Sequence, residues 1–447
     1  MSRGGDTNVK VVNRMVFLIS TLVSGVVAGA FIWGVLFVMN LGISAIWDRI
    51  PVYLGSFYPV IVCVIGGLVI GLFTRRFGDY PETLPEVMAK VRSDGRYEYD
   101  KIGIMSTGAV LPLVFGGSVG PEAGLTGVIA ALCTWVSDRF KRFGNDIRCL
   151  TEAGTYATLS VIFAAPLFGA AGIAEDGRRN PGNEATLPMR ILTYAFAAGG
   201  AFTALLLLSS AVGSGMSMPY YGDMGYGRDE FLWLIPIAAV GAVAGWSFCV
   251  LDGVFHRVSS RFGERKIVKP VAAGLVLGVC GFLLPLTMFS GEAQCEELDG
   301  IWMTLAPTTL LLIGFVKIAV TALCVNMGWR GGHFFPVIFA GISIGYGMSM
   351  LLGVDPVFSV CAATAAVVGS DLRKPLLAVL LLFLCFPIHS VVVLAVAAII
   401  GSLIPVPKSL ARESVRSGTG SDDRFFVPRC FERQRRGKTE CARYLIS

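Results

Sequence analysis

Gly116-Gly117-Ser118-Val119-Gly120-Pro121-Glu122-Ala123-Gly124 interrupts one apolar part of the chain, and Gly331-Gly332-His333-Phe334-Phe335-Pro336 interrupts another. Both read Gly-Gly-x-x-x-Pro. A glycine pair frees the backbone, and a proline suits the first turn of a helix. Each segment is therefore read as a break between hydrophobic pieces, followed by a helix N-terminus. Paired breaks at corresponding places in two halves point to a binding site near the bilayer midplane of a transporter.

The sequence around the breaks is a membrane sequence. Of 447 residues, 54% are hydrophobic and 15% charged, and the mean hydropathy is +0.69. A helix crosses a bilayer core in about 20 residues. The clearest runs of that kind are Met15–Trp47, Phe57–Thr74, Ile191–Val212, Phe231–Val250, Val271–Phe289, Leu305–Val325 and Leu376–Leu403. Ile102–Val136 and Thr155–Ala174 are apolar too but cut by Gly and Pro. The mixture predicts long tilted helices beside broken ones, and irregular backbone at that depth has to be buried in protein or line a wet cavity. Glycine, at 54 residues, also suits close helix packing.

Charge orients the chain. Arg3, Lys10 and Arg14 precede a run longer than a signal peptide's apolar region, so an uncleaved first helix is expected. From Lys408 to Arg443 there are ten Lys or Arg against five Asp or Glu. Basic flanks stay on the cytoplasmic side, so both termini are expected inside, in a cell (inner) membrane with an even number of crossings. The tail is read as a partly disordered segment that touches anionic lipid rather than as a nucleic-acid binder. The expected divisions are a cytoplasmic segment 1–14, a first membrane repeat 15–213, a linker 214–229, a second membrane repeat 230–407 and a basic tail 408–447.

No cofactor or metal is expected. The 11 cysteines are scattered without a Cys-x-x-Cys pair and there are three histidines, so metal-ligand spacing is lacking. The repeat extends past the breaks. Ala164-Ala165-Pro166-Leu167 follows the first, and Arg373-Lys374-Pro375-Leu376 follows the second at similar spacing. Each half thus carries a glycine break, an apolar stretch, a Pro-Leu start and a further apolar stretch.

These residues resemble the CLC chloride channels and transporters. Gly117-Ser118-Val119-Gly120-Pro121 is similar to that family's Gly-(Lys/Arg)-Glu-Gly-Pro segment, and Gly332-His333-Phe334-Phe335-Pro336 to its Gly-x-Phe-x-Pro segment. Ala165-Pro166-Leu167-Phe168-Gly169 with the acidic pair Glu175-Asp176 is similar to its Asn-Ala-Pro-Leu-Ala-Gly…Glu-Glu helix, and Leu84-Pro85-Glu86 to the end of its Gly-Ser-Gly-Ile-Pro-Glu segment. The order and spacing hold over about residues 15–407. The resemblance is to a divergent bacterial-type member without cytoplasmic regulatory domains. It implies an all-α polytopic membrane protein of two inverted repeats of tilted and broken helices. It also implies a homodimer with a pore in each subunit, and chloride or a similar small anion as the transported species. Helix N-termini carry unpaired N–H groups and the positive end of the dipole, so several of them together hold an anion without a full cation. The expected anion-binding residues are Thr83, Ser118, Val119, Gly120, His333, Phe334 and Phe335.

The departures bear on mechanism. Val119 stands where the family carries its gating glutamate, which favours passive, channel-like conduction. Glu122, a turn further on, is the alternative gate, or else a carboxylate that stabilises the helix start. Asp176, preceded by Glu175, falls at the internal proton-transfer position, so a proton-coupled exchanger using Glu122 and Asp176 is the second reading. The family's central serine falls on Glu82 by count, with Thr83 or Tyr80 as substitute hydroxyls, and its central tyrosine falls near Ser409. His333 is either an imidazole satisfied by a neighbour or a pH handle, with flux then changing between about pH 5.5 and 7.5. Lys317 lies inside an apolar run and is either functional or a snorkelling cation. An intramembrane enzyme is disfavoured, because no His-Glu-x-x-His and no aspartate pair is present.

Overall fold

The computed structural model describes residues 3–49, 55, 57–82, 84–94, 96–139, 147–179, 186–212, 219–225, 227–263 and 265–405, without the side chains of 3–14, 84, 85, 88, 92, 93, 147, 148, 176–179, 228 and 229. The tail 408–447 and residues 214–218 and 226 of the linker 214–229 lie outside the described residues.

Helices account for the described architecture. They are α1 (Arg3–Ile43), α2 (Tyr58–Phe77), α3 (Leu84–Asp94), α4 (Ile102–Val114), α5 (Glu122–Arg139), α6 (Ile147–Ile162), α7 (Pro166–Arg179) and α8 (Leu187–Val212). Then come α9 (Arg228–Arg261), α10 (Val268–Leu283), α11 (Glu292–Ile301), α12 (Pro307–Asn326), α13 (Phe334–Leu352), α14 (Pro356–Leu372), α15 (Pro375–Leu382) and α16 (Val391–Leu403). Among the described residues, six of these are long and apolar enough to cross a membrane, in α1, α2, α8, α9, α12 and α13. The fold is an all-α polytopic membrane architecture, as the sequence implies.

Two expected spans are shorter than the apolar runs that suggested them. Leu376–Leu403 is two helices, α15 and α16, separated by a non-helical turn with Pro387 and a short 3-10 segment at Ile388–Ser390. Proline cannot donate into a helix and clashes with the preceding turn, so the apolar run divides there. Val271–Phe289 stops as an α-helix at Leu283, again before a proline, and continues as a 3-10 turn Pro285–Thr287. α7 runs past Asp176 to Arg179.

The repeat is visible in the backbone. α6 ends in a turn in which Ala164 has φ +48°, and α14 ends at Arg373 with φ +56°. Each left-handed residue stands two positions before the proline that opens the next helix, Pro166 or Pro375. A left-handed residue at a helix end is the usual way to satisfy its last carbonyls and reverse direction.

Small residues bring the helices together. α1 lies against α8, and Gly25 and Gly29 face the carbonyls of Ala197 and Ala201, with no room for a Cβ. This is the small-xxx-small contact that lets helix backbones approach in a bilayer. α5, α13 and α14 are buried on nearly every side. A helix apolar all round belongs in the centre of a bundle, and α5 and α13 are the helices that follow the two breaks.

Candidate functional site

The first break begins where α4 ends, after the internal Pro112. Gly116 takes φ +82°, a left-handed value that suits glycine. Gly117 N–H donates to the Pro112 carbonyl at 2.8 Å, and Val119 N–H to the Gly117 carbonyl at 2.8 Å. The second break follows α12, with Gly328 at φ +97° and Trp329 N–H donating to the Cys324 carbonyl at 3.0 Å.

The two breaks then meet. Gly120 N–H donates to the Gly332 carbonyl and Gly332 N–H to the Gly120 carbonyl, both at 2.7 Å. This isolated antiparallel bridge joins segments from the two halves of the chain. α5 starts two residues after Gly120, and α13 starts two residues after Gly332. Two helix N-termini therefore face one another across a pair of glycines.

Glu122 occupies the space between them. It is 0% exposed. Its Oε1 accepts from the Phe334 N–H at 2.9 Å, so a carboxylate from the first repeat takes up a free donor of the second. Its Oε2 is buried and has no hydrogen-bond partner. A Cβ placed on either Gly120 or Gly332 would collide with this carboxylate, so the bridge is also its seat. An anion needs the same donor at the same helix end.

The other expected residues arrange themselves around this seat. Val119 is buried and its side chain packs on Gly331. Ser118 is buried with its Oγ 2.9 Å from Thr321 Oγ1 of α12. Phe334 and Phe335 both lie on the ring of Phe163, edge-on at 5.5 Å and stacked at 5.3 Å. His333 is stacked between Phe248, 4.8 Å away, and Phe334, and its Nε2 is 3.1 Å from Asp371 Oδ2 at the end of α14. The imidazole is therefore held by a carboxylate rather than by a neighbouring carbonyl.

Residues at the margins are engaged elsewhere. Glu175 is paired with Lys374 Nζ, at 2.7 and 2.9 Å to its two oxygens. The Asp176 side chain and all of Thr83 lie outside the described residues. Glu82 is bound by Lys90 at 2.6 Å and by the Tyr97 hydroxyl at 3.0 Å. Tyr80 takes the Lys101 ammonium at 2.9 Å. Arg330, just before the second break, donates to the carbonyls of Asp79 and Pro81, which ties the approach to α3 to the same centre.

Two participants were not among the expected site residues. Phe163 is the aromatic floor of the site. Its signal was available, since it directly precedes the Ala164-Ala165-Pro166 turn that matches Arg373-Lys374-Pro375, but a lone Phe in apolar sequence does not announce its neighbours. Asp371 partners His333 from the end of α14, close to the second Pro-Leu start. Among the described residues no group of His, Cys, Asp and Glu could hold a metal ion.

The chain is similar to known proteins in sequence family and in fold. A family model described as voltage gated chloride channel matches residues 66–405. YfeO of Escherichia fergusonii, named as an ion-transport protein, is 24% identical over 318 residues, covering 68% of this chain and 71% of that protein. YfeO of Escherichia coli O17:K52:H18 is 26% identical over 322 residues with the same coverage. Among solved structures, a slow cyanobacterial Cl-/H+ antiporter superposes with a TM-score of 0.74 at 18% identity, over 90% of this chain and 98% of that one. A CLC-type fluoride/proton antiporter gives a TM-score of 0.64 at 18% identity, over 90% and 96%.

Proposed function

The chain belongs to the CLC family of voltage-gated chloride channels, whose members transport anions across membranes, and from that membership we propose that it carries chloride or a similar small anion under the control of Glu122. The observation that supports this is the 2.9 Å hydrogen bond from Phe334 N–H to Glu122 Oε1. A buried carboxylate on that donor excludes an anion by occupancy and by like charge. Protonation removes the charge, the side chain leaves the glycine seat, and the anion takes its place among the N–H groups. No Lys or Arg stands in the two breaks between Gly116 and Glu122 or between Gly331 and Pro336. Binding there is weak enough for release, as conduction requires.

Val119 lacks a titratable group, and conduction without any gate is the simpler expectation from that position alone. The seat of Glu122 favours the reading in which an acid one turn away does the gating. A carboxylate that alternates with the anion gives either proton-gated conduction or proton-coupled exchange. Exchange also needs a second proton acceptor, for which Asp176 is the candidate and Glu175 the less available neighbour, being paired with Lys374. We place two copies in a homodimer with both termini cytoplasmic, in line with the family resemblance and the basic flanks.

Paired chloride and proton flux from liposomes of purified protein tests this. We expect chloride flux that rises as pH falls, and in Glu122→Gln a flux independent of pH and free of proton movement. Glu122→Gln protein that keeps the native pH response would sink the proposal. Proton flux in fixed ratio to chloride in the native protein selects exchange; its absence selects gated conduction.

A further inference from the structure

Lys317 sits at the middle of α12, and its side chain is 0% exposed. It does not snorkel. Its ammonium donates to the carbonyls of Met288 at 2.7 Å, Phe289 at 2.8 Å and Thr287 at 3.2 Å. An ammonium has three donors, and here each has an acceptor. The ring of Phe339, in the second turn of α13, lies 5.2 Å from Nζ. Among the described residues no carboxylate lies within ion-pair distance of it, and Cys295 of α11 and Cys324 of α12 are the titratable groups that interact with it. Among the described residues, the Lys317 Nζ is thus met by three backbone carbonyls and an aromatic face.

The loop that holds this ammonium is bonded to the first break. That loop continues into Phe289, whose N–H donates to the Gly116 carbonyl at 3.0 Å. Phe289 holds φ +60°, a left-handed value that a bulky residue keeps only where its surroundings over-determine it. One turn along α12 from Lys317, Thr321 meets Ser118. On the other side of the loop an apolar cavity of about 480 Å³ is lined by Trp47, Pro59, Gly281, Met288 and Phe289. α12 therefore presents its cation and its hydroxyl to the first break, while Phe339 connects the cation to the helix whose N-terminus holds Glu122.

We propose that Lys317 is a positioning residue that also supplies the fixed positive charge of the anion site, acting from behind the path without touching the anion. A charge in low dielectric acts over several ångströms with little screening. Placed off the path, it raises anion affinity but leaves the pathway itself without a cation that would trap the ion. This inference rests on the reading that an anion replaces the Glu122 carboxylate at the glycine seat.

The experiment is calorimetric titration of purified protein with chloride in the Glu122→Gln background, where the seat is vacated. Adding Lys317→Gln keeps two N–H donors for the three carbonyls but removes the charge; adding Lys317→Arg keeps the charge. We expect the Gln variant to bind chloride at least about tenfold more weakly and the Arg variant to stay within about threefold of its parent. An unchanged chloride affinity in the Gln variant overturns the proposal, as does equal weakening in both, which would mark a packing role only. Should the Gln variant not fold, Cys295→Asp decides the matter by pairing the ammonium in place: weakened chloride binding supports the proposal and unchanged binding overturns it. A Glu122→Gln parent that binds no chloride overturns the reading of the seat, and the present inference with it.

Discussion

The two breaks share a pattern but not a register. Counted by Gly-Gly-x-x-x-Pro, Pro121 corresponds to Pro336, and Glu122 to Val337. Counted from the glycine bridge, Gly120 corresponds to Gly332, and Glu122 to Phe334. In the first break the proline comes just before the helix; in the second it lies inside the first turn of α13. The offset gives the two helix starts different chemistry. One projects an acid, and the other leaves a free N–H that the acid takes. In the proposed reading, the acid is a stopper and the donor at the other helix start is its socket.

That asymmetry can be broken from the socket side, where the largest effect is expected. Gly332→Ala puts a methyl group into the volume of the Glu122 carboxylate. The acid then loses its seat without having to gain a proton. Chloride flux above neutral pH should rise toward that of Glu122→Gln, while overpacking costs about 1–3 kcal/mol of stability. A Gly332→Ala protein whose flux stays closed at high pH would show that the carboxylate does not need the seat. Thermal unfolding read alongside flux separates the two effects.

His333 offers a smaller test. The imidazole is wedged between two aromatic rings and bound to Asp371, just before the donor that holds Glu122. If the proton that governs transport is on Glu122, His333→Gln should lower flux by about threefold through misplacement of the Phe334 N–H but leave the midpoint of the pH response alone. A shifted or flattened pH profile in His333→Gln would move the switch from the acid to the imidazole.

The smallest effect belongs to the buried pair Ser118 and Thr321. Ser118→Ala leaves the Thr321 hydroxyl without its partner from the first break, which should cost about 1 kcal/mol of stability. Urea or thermal unfolding reads that cost, and chloride flux should hold within about twofold. A larger fall in flux would mean that this contact sets the position of the first break more tightly than the glycine bridge does.

Much of this arrangement is legible in the sequence, because local chemistry dictates it. Glycine pairs, prolines and apolar runs locate both breaks, and the matched Pro-Leu starts locate α7 and α15. What the pattern does not carry is who meets whom. The bond between Glu122 and Phe334 joins residues far apart in the chain, and no periodicity reports on it. The same is true of Phe163 beneath Phe334 and Phe335, and of the three carbonyls around Lys317. Hydropathy also overran the helices at Leu376–Leu403, since an apolar average is blind to the one proline that divides it.

The glycine bridge has a mechanical consequence. Two backbone hydrogen bonds between buried glycines clasp the halves of the chain. Backbone groups freed away from water cost several kcal/mol each, so the halves resist being pried apart at this centre. A carrier that rocked its two lobes about the substrate would have to unfasten that clasp in every cycle. On the reading proposed above, the stationary part is the lobes, and the moving part is the Glu122 side chain, five heavy atoms beyond its Cα. A gate of that kind has little inertia and few partners to reorganise, and the proposal therefore expects rotamer exchange and the arrival of a proton, rather than the swing of a domain, to set the pace.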